Sequence, residues 1–169
     1  ATINQRIDLI EITKKFTHVE YNPKQFPGLV FRIKDPKTAI LIFSSGKMVC
    51  TGGKSEKMAK IAIKSVVSSL KENEIEVKKR AIVTIQNIVA SVDLGGKIDL
   101  EEAARQLSNS MYEPEQFPGL IYRMKEPKSV ILIFSTGKLV CTGAKIESQV
   151  KNAVNNLHNL LEKKNLMLY

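Results

Sequence analysis

Residues able to do covalent chemistry are few in this chain and do not converge. His18 and His158 are isolated, and Cys50 and Cys141 are the only cysteines. No carboxylate pair or phosphate-binding loop is evident, so an enzyme is the weakest reading. What the sequence repeats is non-covalent chemistry. Tyr21–Glu56 reads YNPKQFPGLVFRIKDPKTAILIFSSGKMVCTGGKSE, and Tyr112–Glu147 reads YEPEQFPGLIYRMKEPKSVILIFSTGKLVCTGAKIE. The second lies 91 residues after the first without a gap, and 24 of the 36 positions are identical. Flat aromatic side chains recur in register, Phe26 with Phe117 and Phe43 with Phe134. Cations recur too: Arg32, Lys37, Lys47 and Lys54 match Arg123, Lys128, Lys138 and Lys145. A single surface lysine is usually only solvated, and the repeat-symmetric placement lifts these eight above that reading.

A period this long is not a solenoid, whose units run from about 20 to 50 residues. Two copies of a half-domain imply an intramolecular pseudo-dimer with one two-fold axis, and duplex DNA is the commonest partner of that symmetry. The expected halves are 1–80 and 81–169. The net charge of +9 points the same way, toward a polyanion, nucleic acid or membrane surface. It is unevenly placed. Residues 1–80 carry 16 Lys/Arg against 8 Asp/Glu, and residues 81–169 carry 10 against 9. No apolar run approaches the roughly 20 residues of a membrane span, and no signal peptide is visible. Two cysteines exclude a disulfide scaffold or a cysteine-rich zinc site, which fits a reducing intracellular setting. No cofactor is expected.

The elements that position these residues follow from local signals. Asp8-Leu9-Ile10-Glu11 and Asp99-Leu100-Glu101-Glu102 fit a capping box, predicting helices of about ten residues that end before His18 and Asn109. A short strand then leads through Tyr21 or Tyr112 into a loop shaped by Pro23, Pro27 and Gly28, or by Pro114, Pro118 and Gly119. Strands are predicted over Leu29–Lys34, Thr38–Ser44 and Lys47–Thr51, and over Leu120–Lys125, Ser129–Ser135 and Lys138–Thr142. Their short connections imply antiparallel hairpins. A long amphipathic helix closes each repeat, with stripes Met58, Ala62, Val66, Leu70 and Val150, Val154, Leu157, Leu161. Residues 82–92 read as a strand opening the second repeat. Its counterpart in the first is Ala1-Thr2-Ile3, matched to Ala90-Ser91-Val92 at a spacing of 89. On that alignment the loop before the first helix is two residues shorter in repeat one.

Strand parity decides which side chains are available. Leu41 and Phe43 share one face and Ile40 and Ile42 the other; Val49 and Thr51 lie opposite Cys50. Leu132 with Phe134 and Val140 with Thr142 repeat the pattern. Both faces are therefore apolar, while two helices per repeat cover only one. The other face is expected to be a binding surface, or to pack against a second copy of the chain. Both cysteines alternate away from it, as buried free thiols.

The tandem motif F-P-G-L…L-I-F-S-[ST]-G-K-[ML]-V-C-T-G-[GA]-K resembles the TATA-box-binding protein family over essentially the whole chain. FPG in both loops is closer to archaeal members than to eukaryotic ones. The resemblance implies an α+β fold, a pseudo-two-fold saddle with a curved antiparallel sheet and helices on the convex face. It implies a general transcription factor that binds the minor groove of A·T-rich promoter elements, kinks the DNA, and recruits transcription factor B and RNA polymerase. Phe26, Phe43, Phe117 and Phe134 match the family's intercalating wedges. Leu41, Val49, Val89, Leu132 and Val140 match positions that press on minor-groove sugars and bases, and Asn87, Thr51 and Thr142 supply the few hydrogen-bonding groups. A second asparagine, symmetric to Asn87, would lie before Ala1. The eight repeated cations match phosphate contacts. Glu113, Glu115 and Gln116 match the docking site for transcription factor B. The implied location is the cytoplasm and nucleoid for an archaeal member, or the nucleus for a eukaryotic one. Two rival readings keep the fold but change the role: a saddle-like DNA-binding module outside promoter recognition, or a homodimer that buries its apolar sheet face. A weak homodimer in the absence of DNA is compatible with the main reading.

Overall fold

A computed structural model describes every residue, Ala1–Tyr169. The fold is α+β, and the chain divides into two compact units, Ala1–Thr84 and Ile85–Tyr169. In the first, Asp8 starts α1 (Leu9–Lys15), its carboxylate accepting the N–H groups of Ile10 and Glu11 at 2.9 and 3.2 Å. That satisfies donors which the helix leaves unpaired. The helix has seven residues and not about ten, because Phe16 takes extended backbone angles and buries its ring in the core. Three antiparallel strands follow in spatial order, β1 (Leu29–Ile33), β2 (Thr38–Ile42) and β3 (Met48–Thr51). Each ends at or within two residues of the span expected from its hydrophobic run. The closing helix α2 (Glu56–Glu72) is capped by the Ser55 hydroxyl, which accepts from Met58 N–H at 3.1 Å. Its Ala62, Ile63, Val66, Val67 and Leu70 share one core with Leu29, Phe31, Ile40, Ile42 and Met48. Each large aliphatic side chain buried there contributes about 1.5–3 kcal/mol of transfer free energy. Met58, expected on this stripe, is exposed at the first turn.

The second unit has the same plan with more strand. β4 (Ile88–Asp93), β5 (Lys97–Ile98), α3 (Leu100–Gln106), β6 (Ser110–Met111), β7 (Leu120–Met124), β8 (Ser129–Ile133), β9 (Lys138–Ala144), α4 (Glu147–Lys163) and β10 (Met167–Leu168) follow in order. The main sheet runs β4-β9-β8-β7-β6, and β5 pairs with β10. Asp99 caps α3 by accepting from Glu102 N–H at 3.0 Å. The return bond of the expected capping box is absent here, since the Glu102 carboxylate accepts from Arg105 and Gln106. Leu107 turns this helix off as Phe16 does the other. The short strand expected through Tyr112 is β6; through Tyr21 only a single bridge forms, Glu20 to Val30.

Two expectations about the first strand are corrected by hydrogen-bond register. Residues 82–92 are not one strand. Ile82 bridges Thr2 in the first unit, and regular strand begins only at Ile88. The spacing of 89 is also wrong. Thr2 pairs with Lys47 as Asp93 pairs with Lys138, and Ile3 N–H donates to Gly46 O as Leu94 N–H donates to Gly137 O, all at 3.0 Å for the latter bonds. Asn4 and Gly95 both hold left-handed backbone, with φ of 50° and 76°. The equivalence is therefore 91 throughout, with no deletion. Alanine-hydroxyl-aliphatic triplets look alike, but the backbone ladder decides. Cys141, opposite Ala90 of β4, is fully buried, and Cys50 is half-buried.

Candidate nucleic-acid interface

Pairing register turns the strand alternation into continuous rows. In the first unit Val30, Leu41 and Val49 lie across from one another, and Arg32, Ala39 and Thr51 form the next row on the same face. In the second unit the rows are Ile121, Leu132, Val140, Ser91 and Arg123, Val130, Thr142. The alternate residues Ile40, Ile42, Ile131 and Ile133 are completely buried against the helices. The helix-free face is open: Val49 is 47% exposed and Val89 64%, and Leu41, Leu132, Val140 and Thr142 are half-exposed. Val30, Ile121, Ala39, Val130 and Ser91 were not singled out from the sequence. The parity that selected Leu41 also selects them once β1 and β7 are read the same way.

At one end of each open face two phenylalanine rings meet edge to face. Phe26 and Phe43 have centroids 5.9 Å apart with planes at 67°; for Phe117 and Phe134 the values are 6.0 Å and 64°. A glycine makes this possible. A Cβ on Gly28 would lie 2.7 Å from the Phe26 ring and 3.0 Å from Phe43, and one on Gly119 would lie 2.8 and 3.1 Å from Phe117 and Phe134. Phe26 and Phe117 are 42% and 36% exposed, while Phe43 and Phe134 are half-buried against them. The loops holding Phe26 and Phe117 have the same backbone bonds: Gln25 and Phe26 N–H to Asn22 O, and Gln116 and Phe117 N–H to Glu113 O, all 3.0 Å. Glu113, Glu115 and Gln116 are exposed. The result is a flat apolar edge on a stiff mount.

Polar groups on the open faces are sparse. Asn87 donates to the Thr142 hydroxyl at 3.1 Å and accepts from Gly143 N–H at 2.7 Å, so its amide is held in place with one N–H still free to donate. The Thr51 hydroxyl donates to Ala39 O at 3.4 Å. All eight repeated cations are exposed. Only Arg32 has a carboxylate close by, Glu20 at 3.5 Å; the Arg123 equivalent lacks one because Met111 stands in that place. Burial pushes both the Cys50 and Cys141 thiols above their ordinary pKa, which keeps them protonated and unreactive at neutral pH. No group of three or more His, Cys, Asp or Glu converges to hold a metal ion. No helix is long and apolar enough to cross a membrane.

Known proteins share this arrangement. A family model described as transcription factor TFIID, or TATA-binding protein, matches residues 1–73 and 82–164. A TATA-box-binding protein of Pyrodictium occultum is 54% identical over 163 residues, covering 96% of this chain and 82% of the relative. One from Methanobrevibacter smithii is 48% identical over 167 residues, covering 99% and 92%. The solved structure of the Methanococcus jannaschii TBP superposes with a TM-score of 0.88 at 46% identity, over 94% of this chain and 91% of that one.

Proposed function

The chain belongs to the TATA-binding protein family of non-enzymatic, DNA-binding transcription factors, and on that premise we propose that its open sheet faces bind the minor groove of an A·T-rich promoter element. The observation that carries this reading is the pair of helix-free apolar faces, each ending in an exposed phenylalanine pair and bordered by matched cations. In the minor groove A·T and T·A present only acceptors, while G·C adds the guanine N2 amino group. Leu41, Val49, Val89, Leu132 and Val140 leave that donor crowded and unpaired, so G·C is disfavoured. Asn87, Thr51 and Thr142 offer the few donors that the acceptor-only pattern accommodates. Phe26 with Phe43, and Phe117 with Phe134, enter base steps as wedges. Unstacking a step costs about a few kcal/mol, a magnitude known from this same family, and the bent duplex offsets it by contacting more protein. Arg32, Lys37, Lys47, Lys54, Arg123, Lys128, Lys138 and Lys145 take the phosphates, which set register without reading sequence. Glu113, Glu115 and Gln116 dock transcription factor B, which brings in RNA polymerase; the protein would act at the cell's own chromosome, in the nucleoid.

A duplex carrying a TATA element, labelled at both ends, tests the reading by gel shift and fluorescence transfer. Tight binding with a bend is expected, with both lost when A·T pairs become G·C. Phe26→Ala should weaken binding and reduce the bend without unfolding the protein. Full bending by Phe26→Ala would remove the wedge assignment, and equal binding of the G·C duplex would remove the promoter reading.

A further inference from the structure

The two open faces share a backbone ladder but differ in bulk. Ala39 pairs with Arg32 on one side and Thr51 on the other, as Val130 pairs with Arg123 and Thr142. Leu41, Val49 and Thr51 recur as Leu132, Val140 and Thr142 at the spacing of 91. Two neighbouring positions do not recur. Val30 stands where the second unit has Ile121, and Ala39 where it has Val130. All four side chains are half-exposed, and register puts them on the helix-free side. The first face therefore lacks one carbon atom at Val30 and two at Ala39. These positions are diagonal neighbours on adjacent strands, close enough to act as one spot. Because the ladder is the same, no shift of register makes up the loss.

The margin of the face follows the same trend. Met111 pairs with Ile121 and is 47% exposed. Its counterpart Glu20 bridges Val30, and its carboxylate meets Arg32 at 3.5 Å. In the second unit Met111, Ile121 and Val130 make an unbroken apolar wall. Along the same line the first unit has a carboxylate, a smaller aliphatic side chain and a single methyl group.

This contrast gains a chemical meaning from the minor-groove reading above, on which the inference rests. The guanine N2 amino group is what a G·C pair adds to the groove. Against Ile121 and Val130 it is crowded and stripped of water, and a donor left unpaired weakens binding. Over Val30 and Ala39 it has room, and water reaches it from the Glu20 side. We propose that Val30 and Ala39 make the first unit the permissive reader of the element. It accepts a G·C pair beneath them, and Ile121 with Val130 make the second unit reject one at the equivalent place.

The probe is a fluorescein-labelled, self-complementary A·T duplex, so that either half lies equally well under either unit, measured by anisotropy. One G·C pair is walked through one half, and the same pair is then placed in both halves. For the wild-type protein one position should stand out. There the first G·C pair costs about threefold or less, because the protein turns to take it under the first unit. The second costs about tenfold or more, as a single mismatched pair typically does. Two equally strict faces would impose the same factor twice. Val30→Ile with Ala39→Val gives the first unit the side chains of the second, and both factors should then reach about tenfold. Ile121→Val with Val130→Ala should bring both down to about threefold or less. Each variant is compared with its own affinity for the all-A·T duplex, and urea midpoints check that it folds. Equal factors for the wild-type protein at every position overturn the proposal, as do factors that neither exchange moves. An A·T preference that survives such a result leaves the promoter reading standing. Equal binding of an all-G·C duplex would strike that reading itself.

Discussion

Gly28 and Gly119 each carry a ring pair whose separation is set by the missing side chain. Gly119→Ala brings a Cβ within 2.8 Å of the Phe117 ring. Phe117 is exposed, so it relieves the clash by swinging outward, and the stability cost should stay near or below about 1 kcal/mol, the low end for overpacking. The edge-to-face pairing of the rings is lost in the same movement. Urea unfolding should therefore change little while the bend measured by fluorescence transfer falls. A variant that bends DNA fully would show that the paired rings are not required. The open face was legible residue by residue, because a period of two leaves no choice once one side is buried. The anchoring of Asn87 by Gly143 was not, since it depends on a bulge between Ile88 and Ala90 that no local pattern announces.

Elements were legible where hydrophobic period and punctuation agree, as in β1–β3, β7–β9 and the two long helices. Legibility failed where two elements share one apolar run: residues 82–92 read as a strand, yet Ile82 serves the first unit and Ile88 the second. It failed again at Ala1–Ile3, where side-chain similarity favoured a two-residue shift and the ladder with Lys47 and Gly46 fixed another. Helix capping shows how far the repeats have drifted. Ser55 caps α2, but Ile146 stands at the start of α4 with no side-chain bond and 51% exposed. Ile146→Ser should stabilise the protein by about 1 kcal/mol, read as a higher urea midpoint with unchanged slope. A drop in stability would mean that Ile146 packs usefully despite its exposure. The hairpin turns give a second prediction at this scale. Lys47 and Lys138 are equivalent exposed residues just after the hairpin turns, and each alanine substitution should lower affinity for all duplexes and reduce the salt slope by about one unit. A changed preference between A·T and G·C at a fixed slope would make that contact a base contact.

Across the molecule, charge is what the duplication has not kept. The backbone bonds of the two phenylalanine loops are identical, yet Asn22 and Lys24 in one face Glu113 and Glu115 in the other. The excess of cations lies in residues 1–80, while residues 81–169 are almost neutral. The repeat itself was plain in the sequence. A near-symmetric DNA-binding protein gives a directional complex only if a partner distinguishes its halves, and diverged charge on a conserved loop backbone is the simplest means. Glu113→Lys with Glu115→Lys should leave binary TATA binding unchanged or slightly tighter, since added cations favour any duplex. Recruitment of transcription factor B should fall about tenfold or more, because close charge pairs across an interface are worth about 1.5 kcal/mol or above. Ternary-complex formation measured at fixed DNA occupancy separates the two effects. Wild-type recruitment by the reversed loop would place partner recognition elsewhere on the second unit, and the charge difference would then have no part in orientation.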